Sequence, residues 1–287
     1  MTIFVTTLIE VQELTKAYPG STSIFSNLTL SINEGESLAI RGDNGAGKST
    51  FLKILAEIIT PTYGFVKHMK SDMVIGYVPE KFPYNIRFTA KQYLYHMGRI
   101  QGIAKSELHH RTSNLLKQFN MRDQQGNAIN TFSKGMKQKI GMMQALLANP
   151  DILLLDEPLS GLDLRTQNDL ESILYRLKTN GLTIIFTCHD KKLLNRIADR
   201  VITLNGKQGQ LEYISAEKPA FHIIIEMDTK GQSLDFLIGI DGIINRERMD
   251  QGDTVRLEVN PSVSDYLLLE LIQHGISIQS LYRKRVL

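Results

Sequence analysis

The chain has 287 residues, enough for one large domain or two smaller ones, and its 42% hydrophobic and 22% charged residues are ordinary for a globular protein. The net charge of +3 is too close to neutral to favour a nucleic-acid-binding protein. The single cysteine, Cys188, excludes an internal disulfide framework. No apolar run approaches the ~20 residues of a membrane helix, and the N-terminus lacks a signal-peptide pattern. We therefore expect a cytoplasmic protein.

The first part of the chain is predicted to form strands that lead into a strand–loop–helix unit. Apolar and polar side chains alternate over residues 8–14 and 22–32, as they do in half-buried strands. The apolar segment SLAI at 37–40 indicates a further strand. It is followed by the glycine-rich RGDNGAGKST at 41–50 and by FLKILAEII at 51–59, whose apolar residues recur at helical spacing.

Helical patterns alternate with buried strands in the middle of the chain. The helical segments are about 88–120, 133–149, 165–180 and the first part of 191–204, and the apolar strands are ILLL at 152–155, LTIIFTCHD at 182–190 and the end of 191–204. Such alternation predicts an α/β fold with a mostly parallel sheet and helices on its faces.

The pattern changes near residues 214–220, which suggests a domain boundary. The segments that follow read as strand, helix, strand, strand, helix and strand, the βαββαβ order of the ferredoxin-like plan. The sequence therefore predicts a first domain over residues 1–219 and a small α+β domain over 220–287.

The glycine-rich segment has the spacing of a phosphate-binding loop, Gly42-x-x-x-x-Gly47-Lys48-Ser49. Glycines let backbone N–H groups converge on one anion, and the helix that follows adds its positive N-terminal end. We expect nucleotide contacts from Gly42, Asn44, Gly45, Ala46, Gly47, Lys48, Ser49 and Thr50. Lys48 would neutralise the β- and γ-phosphates during catalysis, and the Ser49 hydroxyl would ligate Mg²⁺. The loop alone does not distinguish kinases, GTPases and ATPases.

Two acids follow the buried strand at 152–155, at the sheet edge where α/β proteins bind ligands. Asp156 is expected to hold Mg²⁺, directly or through water. Glu157 is expected to polarise a water that attacks the γ-phosphate. A second acid directly after the first favours hydrolysis over transfer to another substrate.

Five motifs in one order resemble those of the nucleotide-binding ATPase subunit of ABC transporters, over roughly residues 8–213. They are the Walker A motif at 42–50, the signature-like FSKGMKQK at 132–139, the Walker B motif ILLLDEP at 152–158, the D-loop LSGLD at 159–163 and the switch His189. The resemblance implies a P-loop NTPase with a mostly parallel sheet, antiparallel N-terminal strands and a helical subdomain at about 81–145. The 220–287 domain would be an accessory to this ATPase domain.

Three positions, two in the signature and one in the Q-loop, depart from the family pattern. In the signature, Lys134 replaces a glycine and Met136 replaces the glutamine, a form similar to that of many bacterial export-type ATPases. The lysine would add a cation near the γ-phosphate contact. Glu80 stands at the glutamine position of the Q-loop, where its carboxylate could still reach Mg²⁺ or the attacking water.

The resemblance implies that the chain binds ATP with Mg²⁺ and works as a head-to-tail dimer, expected to be a homodimer. Ser133 and Gly135 would contact the γ-phosphate of the ATP held by the second subunit. Tyr18 would stack on adenine, and His189 would stabilise the γ-phosphate charge. Asp163 is either an interface residue or a helix N-cap.

The resemblance further implies a separate membrane permease that holds the chain at the cytoplasmic face of the inner (plasma) membrane, with export as the expected direction. No nucleic-acid partner is expected. Two alternatives remain open. One is a soluble ABC-family ATPase that acts on ribosomes or nucleic acid without a permease. The other is a nucleotide-gated binding module without turnover, against which the presence of Glu157 argues.

Overall fold

The computed structural model describes residues 6–19, 23–83, 85–204, 214–215, 221–237, 240, 242–249 and 253–285. The chain divides into two compact units, Met1–Ala216 and Glu217–Leu287. The boundary expected between residues 219 and 220 lies outside the described residues. In the part of the chain that the structure describes, no helix has the length and apolar character needed to cross a bilayer.

The elements of the first unit follow the predicted alternation. Its strands are β1 (Thr7–Lys16), β2 (Phe25–Asn33), β3 (Ser37–Arg41), β4 (Tyr63–His68), β5 (Ile75–Val78), β6 (Ile152–Leu155), β7 (Thr183–Thr187), β8 (Arg200–Thr203) and β9 (Ile214–Ser215). Its helices are α1 (Lys48–Leu55), α2 (Ala90–Ile100), α3 (Lys105–Gln118), α4 (Lys134–Leu146), α5 (Leu164–Thr179) and α6 (Lys191–Ile197), with 3₁₀ turns at Arg122–Gln124 and Ile129–Thr131.

Two sheets build this unit. The first is antiparallel, with the order β2-β1-β4. The second has the order β5-β6-β7-β3-β8-β9, in which only the last pair is antiparallel. The register pairs Leu155 with Phe186 and Ile40 with Thr187. The carboxyl ends of β3, β6 and β7 therefore meet at one edge of the sheet.

The central strands are apolar because both faces of the parallel sheet are covered. On β6, Leu153 and Leu155 pack into the core that contains helices α2 to α6, while Ile152 and Leu154 face the core formed with α1 and the antiparallel sheet. All four side chains are fully buried. This packing fixes β6, and with it the two acids that follow it.

The α/β fold with antiparallel N-terminal strands is confirmed, but β4 and β5 were not predicted. β4 exposes most of its residues, including Tyr63 and Phe65, so it lacks a regular apolar alternation. β5 has only four residues. Neither strand carries enough periodic signal to be recognised in the sequence.

The second unit contains β10 (Phe221–Asp228), β11 (Ile243–Arg248), β12 (Thr254–Val259), α7 (Pro261–Gln273) and β13 (Ser277–Arg285). Its sheet is antiparallel with the order β11-β12-β10-β13. The helix expected over residues 232–240 is observed only as a 3₁₀ turn, Asp235–Leu237, and residues 238–239 lie outside the described residues. The Asp235 N–H donates to Ser233 Oγ, a local bond that competes with helix formation. The ferredoxin-like assignment stays a prediction.

Candidate functional site

A cavity of about 610 Å³ opens at the edge where β3, β6 and β7 end. Such edges are the usual ligand sites of α/β sheets. The lining residues come from the position just before β2, the glycine-rich loop, the start of α1 and the segments that follow β5, β6 and β7. They are Ile24, Asn44, Gly45, Gly47, Lys48, Ser49, Thr50, Glu80, Glu157, Ser160 and His189.

Gly47 is required by both conformation and space. Its φ is +94°, a left-handed value, and a Cβ at this position would lie 2.4 Å from Ile24 Cγ2. Gly47 is also the N-cap of α1 and supplies no side-chain oxygen to the N–H groups of the first turn. Those donors and the positive end of the helix are thus available to an anion in the cavity.

Lys48 places a cation over the same loop. Its side chain is buried, and Nζ donates hydrogen bonds to the carbonyl oxygens of Gly42 and Asp43 at 2.8 and 3.2 Å. The same nitrogen lies 3.1 Å from His189 Nε2. The ammonium group and the imidazole therefore meet beside the cavity, where a bound triphosphate would supply the opposite charge.

Asp156 and Glu157 are linked through Thr187, at the end of β7. The Glu157 N–H donates to Thr187 Oγ1 at 2.8 Å, and the Thr187 hydroxyl donates to Asp156 Oδ1 at 2.8 Å. Glu157 has a φ of +46°, which is uncommon for a residue with a side chain. The bond to Thr187 helps to hold it in that conformation.

The Glu157 carboxylate has a buried oxygen available as an acceptor. Oε1 lies 3.2 Å from His189 Nε2, but no group in the described residues donates it a well-aligned hydrogen bond. Burial raises the pKa of Glu157 above its ordinary value, and the negative charges of Asp156 and Glu80 raise this pKa further. The charges of His189 and Lys48 lower it and so offset part of the rise. An under-solvated carboxylate of this kind is suited to accept a proton from water.

The metal ligands expected from the sequence lie in two positions. Ser49 and Glu80 line the cavity, whereas Asp156 is buried beneath it and only 4% exposed. No group of three or more His, Cys, Asp or Glu side chains in the described residues could hold a metal by itself. This sparse oxygen set fits Mg²⁺, which takes one or two carboxylates and completes its shell with waters and phosphates.

Several predicted residues lie outside the cavity of their own chain. Gly42 and Ala46 pack on the protein side of the loop, away from the cavity. A Cβ on Gly42 would lie 2.4 Å from the Leu204 carbonyl oxygen, and Ala46 is buried. Ser133 caps α4 by accepting the Met136 N–H. Gly135 packs against α5.

The structure does not place Tyr18 among the described residues that line the cavity. Tyr18 lies just beyond β1, 45% exposed, with Lys16 Nζ 5.1 Å from its ring centroid. Ile24, just before β2, is an apolar side chain that does line the cavity.

The sequence reasoning missed three residues of the site: Ile24, Ser160 and Thr187. Ser160 falls within the D-loop motif, so its place after Glu157 was a usable signal. Thr187 could be found only from the register of β6 and β7, which the sequence does not give.

Comparisons with known proteins agree with this geometry. A family model described as "ABC transporter" matches residues 25–160. The ABC transporter ATP-binding protein NatA of Bacillus subtilis is 33% identical over 201 residues, 66% of this chain and 80% of that protein. The uncharacterized ABC transporter ATP-binding protein MJ1023 of Methanocaldococcus jannaschii is 32% identical over 266 residues, 91% of this chain and 98% of that protein.

The structural comparison points the same way. The dimeric post-hydrolysis structure of the ATP-binding cassette MJ0796, bound to ADP and Pi, aligns with a TM-score of 0.66 and 25% identity over 73% of this chain and 99% of that chain. ATP with Mg²⁺ is the cofactor of such cassettes, and the cavity offers the groups to hold both. The chain therefore belongs to the ABC transporter ATP-binding proteins and is an ATPase.

Proposed function

We propose that this chain hydrolyses ATP through Glu157 to energise a separate membrane permease. The observation that carries the proposal is the partly buried Glu157 carboxylate, whose buried oxygen Oε1 is left as an acceptor beside the phosphate loop. A binding module without turnover would not need such a group. An attacking water requires an acceptor for its proton, and a carboxylate with a raised pKa provides one.

The phosphate loop and its flanking oxygens would hold the nucleotide. Lys48 and the N–H groups of the first turn of α1 bind the β- and γ-phosphates. Ser49, Glu80 and Asp156 would hold Mg²⁺, Asp156 directly or through water. The metal neutralises phosphate charge when bound.

Hydrolysis would then proceed at the γ-phosphate. Glu157 takes a proton from water as the water oxygen bonds to the γ-phosphorus. The bond to the β,γ-bridging oxygen breaks, leaving ADP and phosphate. His189 and Lys48, 3.1 Å apart, stabilise the charge on the γ-phosphate oxygens.

A second copy of the chain would complete each site. Ser133 and Gly135 begin α4, a 13-residue helix whose N-terminus favours an anion, and they do not line the cavity of their own chain. We infer that they contact the γ-phosphate held by the other subunit of a homodimer. The dimeric state of the MJ0796 cassette supports this arrangement. Tyr18 would stack on adenine from its exposed position.

The permease would supply the membrane-spanning part of the transporter. We propose that it docks on the helical subdomain around α2 and α3, and that it holds the chain at the cytoplasmic face of the membrane. The name of NatA as a transporter ATP-binding protein supports a permease partner. We propose export as the direction from the Ser133-Lys134-Gly135-Met136 form of the signature. The second unit would be accessory to this activity.

Purification of the tagged chain from its own membranes, in detergent and with ATP, tests the permease. We expect a polytopic membrane protein to copurify in fixed ratio. Ribosomal RNA or DNA in its place would contradict the proposal in favour of a soluble ABC-family ATPase. Loss of the chain should sensitise cells to a toxic compound if the direction is export. A nutritional requirement would indicate import.

A further inference from the structure

The loop at residues 157–163, which joins β6 to α5, is held by side chains from two helices. Lys134 Nζ, in the first turn of α4, donates a hydrogen bond to the Ser160 carbonyl oxygen at 2.5 Å. Gln167 Nε2, in α5, donates to two further loop carbonyls at 3.2 and 3.4 Å. The middle of the loop is thus tied to α4 through one charged contact.

The two helices approach each other closely at this point. A Cβ on Gly135 would lie 2.4 Å from Thr166 Cγ2, so only glycine fits there without movement. Thr166 is fixed by Asp163, which accepts bonds from its N–H at 3.0 Å and from its hydroxyl at 2.8 Å. The start of α4 is therefore positioned against the end of the loop. This brings the loop carbonyl of Ser160 within reach of the Lys134 ammonium group.

The loop also holds Glu157. The Ser160 N–H donates to the Glu157 carbonyl oxygen at 3.1 Å, and Ser160 itself lines the cavity. Glu157 has a left-handed φ, a conformation that persists only where its surroundings enforce it. A contact that fixes Ser160 therefore contributes to the placement of the Glu157 carboxylate.

We propose that Lys134 is a positioning residue for hydrolysis: by holding the Ser160 carbonyl, its ammonium group orients the loop that places Glu157 against the attacking water. The sequence suggested that this lysine meets a γ-phosphate. Within its own chain, the Lys134 nitrogen donates to the Ser160 carbonyl oxygen. The inference rests on the proposed role of Glu157.

Steady-state ATPase measurements on Lys134→Met and Lys134→Arg test the inference. We expect Lys134→Met to lower kcat about tenfold and to leave KM for ATP within about twofold, because geometry is lost but nucleotide contacts are kept. Lys134→Arg should restore most of kcat, since a guanidinium can also donate to the carbonyl. The matched control is Lys178→Met, in α5 and outside the signature-like segment, whose Nζ also donates to a backbone carbonyl, that of Ile197, at 2.9 Å. It should keep the parental kcat.

A parental kcat in Lys134→Met would overturn the inference. So would a rise in KM with kcat unchanged, which would mark Lys134 as a nucleotide ligand. Failure of Lys134→Arg to restore kcat would also overturn it.

A second variant keeps the inference testable if Lys134→Met does not fold. A Cβ on Gly161 would lie 2.7 Å from Lys134 Nζ and displace it. Gly161→Ala should therefore lower kcat at unchanged KM. Gly181→Ala has a similar positive φ but nothing within 4 Å of the added carbon, and it should keep kcat. A parental kcat in Gly161→Ala would contradict the inference, whereas full activity in Glu157→Gln would instead remove the proposed function on which it rests.

Discussion

The Glu157 N–H donates a hydrogen bond to Thr187 Oγ1 at 2.8 Å, and the Thr187 hydroxyl in turn donates a hydrogen bond to Asp156 Oδ1. One threonine at the end of β7 thereby connects the two acids at the end of β6. Its hydroxyl acts as acceptor and donor at once, so a methyl group cannot replace it. The placement of both acids depends on the register of these two strands.

Thr187→Val should lower kcat about 10- to 100-fold, because the Glu157 carboxylate loses a backbone restraint. The change leaves a buried carboxylate oxygen of Asp156 without its donor, so the free energy of unfolding should fall by about 1–3 kcal/mol. Steady-state kinetics and urea unfolding measure the two effects. Thr187→Ser, which keeps the hydroxyl, should stay within about threefold of the parental kcat. A Thr187→Val protein with parental activity would show that the hydrogen bonds of Thr187 do not position Glu157.

Gly47→Ala should abolish tight ATP binding. The added carbon combines a φ of +94° with a 2.4 Å approach to Ile24, and the loop must move to relieve it. Calorimetry of ATP binding measures the loss. The matched control is Gly102→Ala, which has a φ of +79° but nothing within 4 Å of the added carbon and lies after α2. It should bind ATP as the parental protein does, and equal losses in both variants would refute the loop geometry.

Burial of Glu157 should make stability fall as pH rises. Its pKa is raised in the folded state, so between the unfolded value near 4.5 and the higher folded value the native protein binds more protons than the unfolded chain. Its contribution is therefore most favourable below about pH 4.5 and is lost as pH rises through the folded pKa. Glu157→Gln removes this loss, so it should unfold at higher urea than the parental protein at pH 7. A difference between the two urea midpoints that is the same at pH 7 and at pH 4 would contradict the raised pKa.

Cys188 should be inert in the folded protein. Burial raises the pKa of its thiol to about 12, with the nearby carboxylates of Glu157 and Asp190 adding to the shift. Because the thiolate is the reactive form, iodoacetamide at pH 8 should label the native chain very slowly and the urea-unfolded chain rapidly. Mass spectrometry gives a single-site readout, since the chain has one cysteine. Rapid labelling of the native protein would show that the sheet edge beneath the site is open.

The phosphate loop could be predicted because its chemistry is local in sequence. Gly42, Gly47 and Lys48 lie within seven residues, and the strand, the glycine-rich turn and the helix that carry them follow one another directly in the chain. Asp156 and Glu157 were also recognisable, since they directly follow an apolar strand.

The remaining parts of the site depend on contacts between distant segments. Thr187 meets Asp156 across 31 residues of sequence, and Lys134 meets Ser160 across 26. Both contacts follow from strand register and helix packing, which the apolar pattern does not specify. The motif suggested a phosphate contact for Lys134, which stays a prediction, but it gave no signal for the contact with the Ser160 carbonyl oxygen.

Glu157 is the proposed acceptor of the proton from water, and phosphate release by Glu157→Gln tests this role most directly. We expect the variant to retain ATP with the parental affinity while kcat falls by about 100-fold or more. The retained ATP should also yield dimers detectable by light scattering. Phosphate release at the parental rate by a variant that binds ATP normally would contradict the account.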